Sequence, residues 1–414
     1  MTENNMRVLY ITGSCLKKNT SANMSHNAFV KGLLDNGADV DIVMASDGWG
    51  EDDKTFVMLE GANYYEINSV SFPDRLRAVY KRSSQTMGRQ KLQLNAVDEN
   101  PGSNSYVRKT GRHVLKKVFY KIFPKDPVYP LERHWLKNGL RFKSDTQYDL
   151  LISNSSPAAS HRLAAELIRR KQIKCHRWIQ IWEDPWFYDI YGGNNELIKK
   201  EEHNLLRRAR KIYYVSPLTL MYQKQFFPDC ARKMDCIPLP CYVFANKNVE
   251  QSEVIPNSFG YFGDYFQDAR NLKPFYEALS ELGFTGFIYG DSDLDLHSTA
   301  KICVSERVTL DVLEGVQDKT QILVHLSNLK GGQIPGKIYH YSATDKPVLF
   351  ILDGTEEEKR VLKEYFGKFD RYYFCENTSE DIKRTMQIII KDNRTFSPVS
   401  AFMPRIVIED LVKR

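Results

Sequence analysis

Residues 331–347, Gly-Gly-Gln-Ile-Pro-Gly-Lys-Ile-Tyr-His-Tyr-Ser-Ala-Thr-Asp-Lys-Pro, set a proline, a glycine and a lysine between two apolar runs, Ile322–Leu326 and Val348–Leu352. Pro335 stands where a helix is expected to begin, a position at which its missing N–H costs nothing. The N–H groups of Gly336 and Lys337 then point forward with the positive end of the helix dipole, and Lys337 adds a full charge. That combination is an anion site. His340 follows one helical turn later on the same face, where it could meet a ribose or a phosphate.

Three other expected strand ends carry residues with chemistry. At Tyr261-Phe-Gly-Asp-Tyr-Phe, Gly263 closes a strand and Arg270 stands near the start of the next helix, offering a bidentate fork to phosphate oxygens. At Trp182-Glu-Asp-Pro-Trp186, Asp184 can accept hydroxyl hydrogen bonds and the flanking indoles can stack on sugar C–H faces. The competing reading there is an Asp that caps a local turn. Ser153-Asn-Ser-Ser-Pro157 ends the preceding strand. Gly13-Ser14 form a side-chain-poor turn that lets backbone approach a ligand, but the spacing is not Gly-x-Gly-x-x-Gly, so the dinucleotide fingerprint is absent.

The elements that must position these residues alternate. Arg7–Thr12, a helix over about 22–35, Asp39–Met44 and Tyr64–Asn68 open an α/β unit. Tyr148–Asn154, a helix over 157–170, Arg177–Trp182, a helix over 196–208, Lys211–Ser216 and a helix from Pro217 continue it. Cys236–Cys241 and the stretch to Pro256 read as a linker. Strands then recur at Phe259–Gly263, Gly286–Tyr289, Val308–Leu310, Ile322–Leu326, Val348–Leu352 and Tyr372–Cys375, with helices between most of them. Two successive doubly wound units follow from this pattern, and in such sheets ligands bind beyond the carboxyl ends of the strands.

A chain of 414 residues fits two domains of about 200 each. The expected boundaries are 1–245, with a basic insertion at 73–145, then 246–397, then a helix in 398–414 returning to the first domain. Between Pro73 and Asp145 there are 17 Lys/Arg against 6 Asp/Glu, while the whole chain has a net charge of +6, so the remainder is acidic. This points to a local anionic partner and away from a nucleic-acid-coating protein. Within the insertion, Val107–Phe123 puts Val114, Leu115, Val118, Phe119 and Ile122 on one helical face amid lysines and arginines. It reads either as an interfacial helix near anionic headgroups or as a helix packed on its own domain. No apolar run approaches the ~18 residues of a membrane span, and the opening Met-Thr-Glu-Asn-Asn lacks the regions of a signal peptide. Seven scattered cysteines without Cys-x-x-Cys suit a reduced cytoplasm; Cys230, Cys236 and Cys241 lack nearby histidines, which argues against zinc.

Together these segments resemble the GT-B glycosyltransferases, family 4-like enzymes of bacterial surface-polysaccharide assembly. Tyr148–His161 is similar to that family's Asp-x-Ile-x-Ser-Ser-x-Pro-Pro-x-Ser-x-His, and Trp178–Trp186 to Trp-Ile-x-Asp-x-Arg-Asp-Pro-Trp. Gly260–Gly263 with Arg270-Asn271 is similar to its glycine turn and Arg-Asn, and Ile334–Pro347 to its Ile-Pro-x-Lys-Leu-x-Glu-Tyr segment. The resemblance implies two Rossmann-like domains facing across a cleft, with a nucleotide-diphosphate sugar on the C-terminal domain and a glycan or lipid-linked acceptor on the N-terminal one. It implies donor contacts from Gly13, Gly263, Arg270, Gly336, Lys337 and His340, acceptor contacts from Ser14, Ser155 and Trp186, and Asp184 as the catalytic residue that orients the acceptor and, if the reaction inverts, acts as base. No metal and no cofactor is expected; helix dipole and basic side chains neutralise the leaving diphosphate. The expected setting is the cytoplasm, with anionic membrane as the place for the basic insertion. Four positions depart from the pattern: Gly332 and His340 stand where two glutamates are usual, Glu183 replaces an arginine, and Asp345 replaces a glycine. Two rivals remain: a nucleotide-sugar epimerase of the same fold, and a non-catalytic protein that binds membrane or polyanions through 73–145.

Overall fold

The computed structural model describes residues 5–18, 20–46, 58–70, 126–189, 195–241 and 253–414. Most of the basic insertion, including the expected helix over 107–123, and the boundary region at 245/246 lie outside the described residues.

The first sheet contains β1 (Arg7–Ile11), β2 (Asp39–Ala45), β3 (Ala62–Ile67), β4 (Gln147–Ser155), β5 (Lys174–Trp182), β6 (Lys211–Tyr214) and β7 (Met234–Cys236), in the order β3-β2-β1-β4-β5-β6-β7. The second contains β8 (Ile255–Phe262), β9 (Thr285–Tyr289), β10 (Ile302–Ser305), β11 (Thr320–Leu326), β12 (Val348–Leu352) and β13 (Tyr372–Glu376), in the order β10-β9-β8-β11-β12-β13. Every pairing is parallel, for example Leu323 with Val348 and Val8 with Leu150. Parallel strands covered on both faces need continuous apolar runs, and all five residues of β12, Val-Leu-Phe-Ile-Leu, are fully buried.

Around the first sheet lie α1 (Ser21–Asp35), α2 (Arg133–Gly139), α3 (Ala159–Arg169), α4 (Glu196–Arg208) and α5 (Pro217–Phe226). Around the second lie α6 (Lys273–Leu282), α7 (Leu310–Lys319), α8 (Lys337–Ser342), α9 (Glu356–Phe366) and α10 (Ser379–Ile389), and the chain ends in α11 (Pro404–Lys413). Local chemistry sets several starts. Ser216 Oγ accepts from the amides of Leu218 and Thr219 with Pro217 at the first turn, and Thr355 and Glu358 close a reciprocal capping box. α11 returns to the first half: it packs on α1, and Asn36 Nδ2 donates to the Arg405 carbonyl at 2.9 Å.

Two expectations fail. Val308-Thr-Leu310 is not a strand; Thr309 is the residue before α7, and the strand of that unit is the short edge β10, Ile302–Ser305. Cys236–Cys241 is not a loose linker. Ile237 and Cys241 are fully buried, and the Cys241 amide donates to the Phe402 carbonyl. The halves share an apolar core in which Ile338 and Tyr339 pack with residues of the first sheet, and Tyr339 OH donates to the Val215 carbonyl at 2.9 Å.

Candidate functional site

Strand order reverses between β1 and β4 in one sheet and between β8 and β11 in the other, and such switch points open a crevice at the carboxyl ends. Each of the two crevices holds a cavity.

The cavity of the second sheet measures about 370 Å³, within the size range of small-molecule sites. Gly263, Arg270, Gly336 and Lys337, four of the residues singled out in the sequence, line it together. Arg307, Gly290, Asp264 and His325 join them and were not anticipated. Gly263 ends β8 and Gly290 ends β9. A Cβ on Gly290 would stand 2.0 Å from the Gly263 carbonyl oxygen, so the two turns touch only because Gly290 has no side chain. Arg307 bridges these turns: its Nε donates to Asp264 at 2.9 Å and lies 3.1 Å from Asp291. Burial pushes the Asp264 carboxyl up, but the Arg307 and Asp291 hydrogen bonds and the nearby arginine charges outweigh it and hold the pKa below the usual range.

Lys337 has no such carboxylate partner among the described residues. Burial lowers its pKa to about 8; Asp264 opposes that shift, and the Arg307 and Arg270 charges add to it. Arg270 has a buried Nε with no partner, and so does the Nε2 of His325, whose residue is only 2 % exposed. Three cations, one committed carboxylate and the unmatched Arg270 Nε donor therefore surround one space. An anion with several oxygens satisfies that arrangement.

α8 is shorter than expected. It spans six residues from Lys337, with Gly336 as the residue before it and Pro335 outside the helix. The side chains therefore supply most of the positive field, and the helix dipole a smaller share. Two cations, the buried Arg371 and the half-buried Lys346, fix the segment that follows α8. Lys346 Nζ donates to the carbonyls of Gln317, Asp318 and Thr320, and Arg371 donates to those of Ser342, Thr344, Lys346 and Ser397. His340 does not line the cavity; burial, with the Lys337 charge, lowers its pKa to about 4, so it is neutral at pH 7.

The cavity of the first sheet, about 410 Å³, is lined by Gly13, Ser14, Ser156, Pro157, Trp135 and Leu131 among others. Gly13 belongs here and not with the cations. Its amide already donates to Ser160 Oγ at 2.9 Å, and a Cβ would meet the Pro157 ring at 2.6 Å, so packing explains this glycine. Ser14 Oγ donates to the Ser156 carbonyl. Ser155 is buried with its Oγ unpartnered. Trp182 is fully buried against His161 and cannot stack on a ligand, and Trp186 lies against Tyr129 with ring centres 5.3 Å apart.

Asp184 follows β5 and reaches the other half: its Oδ1 accepts from Gln333 Nε2 at 2.8 Å, and Asp189 Oδ2 lies 3.4 Å from the same nitrogen. Burial raises the Asp184 pKa, the Gln333 hydrogen bond lowers it and the Asp189 charge raises it, with a net rise. Gln333 belongs to the loop that delivers Pro335, Gly336 and Lys337 to the cation cavity. Its Cα is at most about 7 Å from that of Pro335. The carbonyl of the preceding Gly332 accepts from Ser216 Oγ and Thr219 Oγ1 of the first half.

Beneath Asp184 lies a polar network that the sequence did not reveal. Asn154 Nδ2 donates to Tyr10 OH at 2.7 Å and to Glu183 Oε1 at 3.2 Å. Tyr10 OH lies 2.9 Å from His26 Nδ1, and His26 Nε2 lies 3.3 Å from the Ser156 carbonyl, which can only accept. The hydrogen-bond pattern therefore assigns the proton of a neutral His26 to Nε2, with Nδ1 accepting from Tyr10. Burial lowers the His26 pKa to about 4 and, with the Asp184 charge, pushes the Glu183 carboxyl well above its usual range.

All seven cysteines are free. Among the described residues one group could ligate a metal, His203, Asp229 and Cys230; Cys236 and Cys241 are not part of it. Among them too, no helix is long and apolar enough to cross a membrane.

No protein-family model matches the chain, and no curated protein matches it in sequence. Solved structures do match in fold. A glycosyltransferase from Rickettsia africae is 13% identical over 99% of this chain and 97% of its own, with a TM-score of 0.52. HepE from Anabaena, solved with UDP and glucose, is 11% identical over 99% of both chains at 0.53. A UDP-N-acetylglucosamine 2-epimerase is 8% identical over 99% of this chain and 95% of its own at 0.52. The chain shares their two-domain α/β architecture, the GT-B fold.

Proposed function

We propose that the protein is a metal-independent glycosyltransferase that moves a sugar from a nucleotide-diphosphate donor to a glycan or lipid-linked acceptor, a family 4-like enzyme of cell-surface polysaccharide assembly such as capsule or lipopolysaccharide. The observation that carries this reading is the convergence of Arg270, Arg307 and Lys337 on one cavity at the switch point of the second sheet, facing Asp184 through the Gln333 loop. HepE, of the same fold, was solved with UDP and glucose.

In this reaction the bond from the anomeric carbon to the phosphate oxygen breaks, and its electron pair leaves on the diphosphate. Arg270, Lys337 and the amides near Gly263 and Gly336 hold that charge, with Arg307 across the cavity. The acceptor hydroxyl oxygen bonds to the anomeric carbon. In an inverting course its proton passes to the Asp184 carboxylate; in a retaining course the proton passes to the departing phosphate oxygen and Asp184 orients the acceptor. The basic insertion would hold the enzyme against anionic membrane on the cytoplasmic side.

One observation favours a second reading. Glu183, Asp184 and Asp189 gather more carboxyl groups beside the cleft than transfer needs, and an epimerase rearranging its donor requires such acids. Incubation with UDP-, GDP- and ADP-hexoses, with and without oligosaccharide acceptors, separates the two. Transfer releases nucleoside diphosphate and lengthens the acceptor; rearrangement yields an isomeric nucleotide sugar with no acceptor present. Asp184→Asn and Lys337→Ala should both lower turnover, and unchanged turnover in both overturns these roles.

A further inference from the structure

In sequence Cys230 has no histidine close by, but the fold supplies one. His203 stands in α4, 26 positions before Asp229, and its Nε2 is 2.9 Å from both Asp229 carboxylate oxygens. Cys230 follows Asp229 on the turn between α5 and β7. One ligand atom from each residue, an imidazole nitrogen, a carboxylate oxygen and a thiol sulfur, lies within 4.8 Å of the other two. An ion pair accounts for two of the three, whereas a shared metal ion uses all of them.

The backbone that carries these groups is fixed from both sides. The Cys230 amide donates to the Phe227 carbonyl at 3.0 Å, which closes the turn. Lys233, at the end of the 3-10 turn that follows, donates through Nζ to the Arg207 and Ala209 carbonyls at 2.7 and 3.0 Å, tying that turn to the end of α4. The His203 ring stacks on Phe227 with centres 5.6 Å apart and planes 24° from parallel, which sets the direction of Nε2. Ligands held on two packed elements lose little freedom when an ion joins them.

Spacing and access agree. On a tetrahedral zinc ion, nitrogen and oxygen ligands stand about 3.3 Å apart, and about 3.6 Å separates either from a sulfur, given bonds of about 2.0–2.1 and 2.3 Å. Spreading the His203–Asp229 contact by about 0.4 Å and moving the sulfur by at most about 1.2 Å reaches that geometry. The His203 and Asp229 side chains are 37% and 54% exposed, so an ion can enter from solvent, and the buried Cys230 closes the inner side.

We propose that His203, Asp229 and Cys230 form a zinc site, a clasp between α4 and the turn that leads into β7. Imidazole, thiolate and carboxylate together suit Zn²⁺ and not Mg²⁺ or Ca²⁺, which take oxygen ligands. On binding, the thiol proton leaves for solvent and the His203 ring carries its proton on Nδ1, freeing Nε2 to coordinate. Water from the exposed side takes the fourth position. None of the three residues lines the cation cavity, so the glycosyl-transfer reading does not depend on this site.

Titration of the full chain, stripped with a chelator and kept reduced, with zinc chloride and with cobalt chloride tests the proposal. One Zn²⁺ should bind per chain and raise the melting temperature in a concentration-dependent way, and Mg²⁺ should do neither. Co²⁺ in its place should show a thiolate charge-transfer band in the near ultraviolet. His203→Gln and Cys230→Ser should each remove the one-to-one binding; His203 is partly exposed, so its variant serves should the buried Cys230→Ser fail to fold. Absence of one-to-one Zn²⁺ binding by the parent overturns the proposal. So does binding that survives His203→Gln, or a bound Co²⁺ without the thiolate band.

Discussion

Gln333 Nε2 and Asp184 Oδ1, 149 positions apart in sequence, meet at 2.8 Å and tie the loop that leads into the cation cavity to the acidic face of the other half. Replacing Gln333 by Glu puts a third carboxylate beside Asp184 and Asp189 and removes the donor they share. The expected loss of stability is about 1–3 kcal/mol near neutral pH, and it should shrink toward pH 4 as the carboxyls protonate. Urea unfolding at the two pH values measures it.

Lys337 sets a pH dependence whose sign follows from its lowered pKa. Its folded pKa is about 8 against 10.5 in the unfolded chain, so between those values the unfolded state binds more protons and stability rises with pH. Lys337→Met should be more stable than the parent below pH 8, with the gap closing above it. Nucleoside diphosphate should bind best below pH 8, where Lys337 is charged, and more weakly above. Melting curves and titrations across pH 6–10 check both.

Glu202 works the other way. It is fully buried, its Oε2 accepts from the Phe187 amide at 2.6 Å, and burial lifts its pKa to about 8. The folded state therefore holds a proton that the unfolded chain has released, and stability falls as pH rises from the ordinary carboxyl range toward 8. Glu202→Gln should match the parent near pH 4 and exceed it increasingly up to pH 8, as read by denaturant midpoints.

Arg371 is 2 % exposed, and its neighbours are backbone carbonyls instead of a carboxylate. Arg371→Met leaves those carbonyls unmatched and releases the end of α8 that positions Lys337. A loss of about 3 kcal/mol is expected, together with weaker nucleoside diphosphate binding, whereas Arg394→Met at the surface should change neither by more than about 0.5 kcal/mol.

Much of the fold was legible because parallel strands require continuous apolar runs. Val348–Leu352 and Ile322–Leu326 declare themselves, and the turn after each strand then places Gly263, Gly336 and Lys337 at a sheet's carboxyl end. β10 was missed because an edge strand of four residues is too short to show a run, while Val308-Thr-Leu310 imitates one through its β-branched pair. Arg307 was missed with it, since its role appears only when the ends of β9 and β10 are side by side. The Tyr10–His26–Asn154–Glu183 network joins residues 16 to 144 positions apart in its individual bonds, and no local spacing encodes it. Trp182 shows the reverse failure: an aromatic beside an acid at a strand end reads as a sugar platform, and its burial against His161 makes it core.

The central claim is that the cavity of Arg270, Arg307 and Lys337 holds the diphosphate of a nucleotide sugar. Calorimetric titration of the full chain with UDP, GDP and ADP, repeated with Lys337→Ala, tests it most directly. At least one nucleoside diphosphate should bind, and the substitution should weaken it about tenfold to a hundredfold, the loss of one charge-assisted contact. Equal affinity in the parent and Lys337→Ala, or no binding of any of the three to the parent, contradicts it.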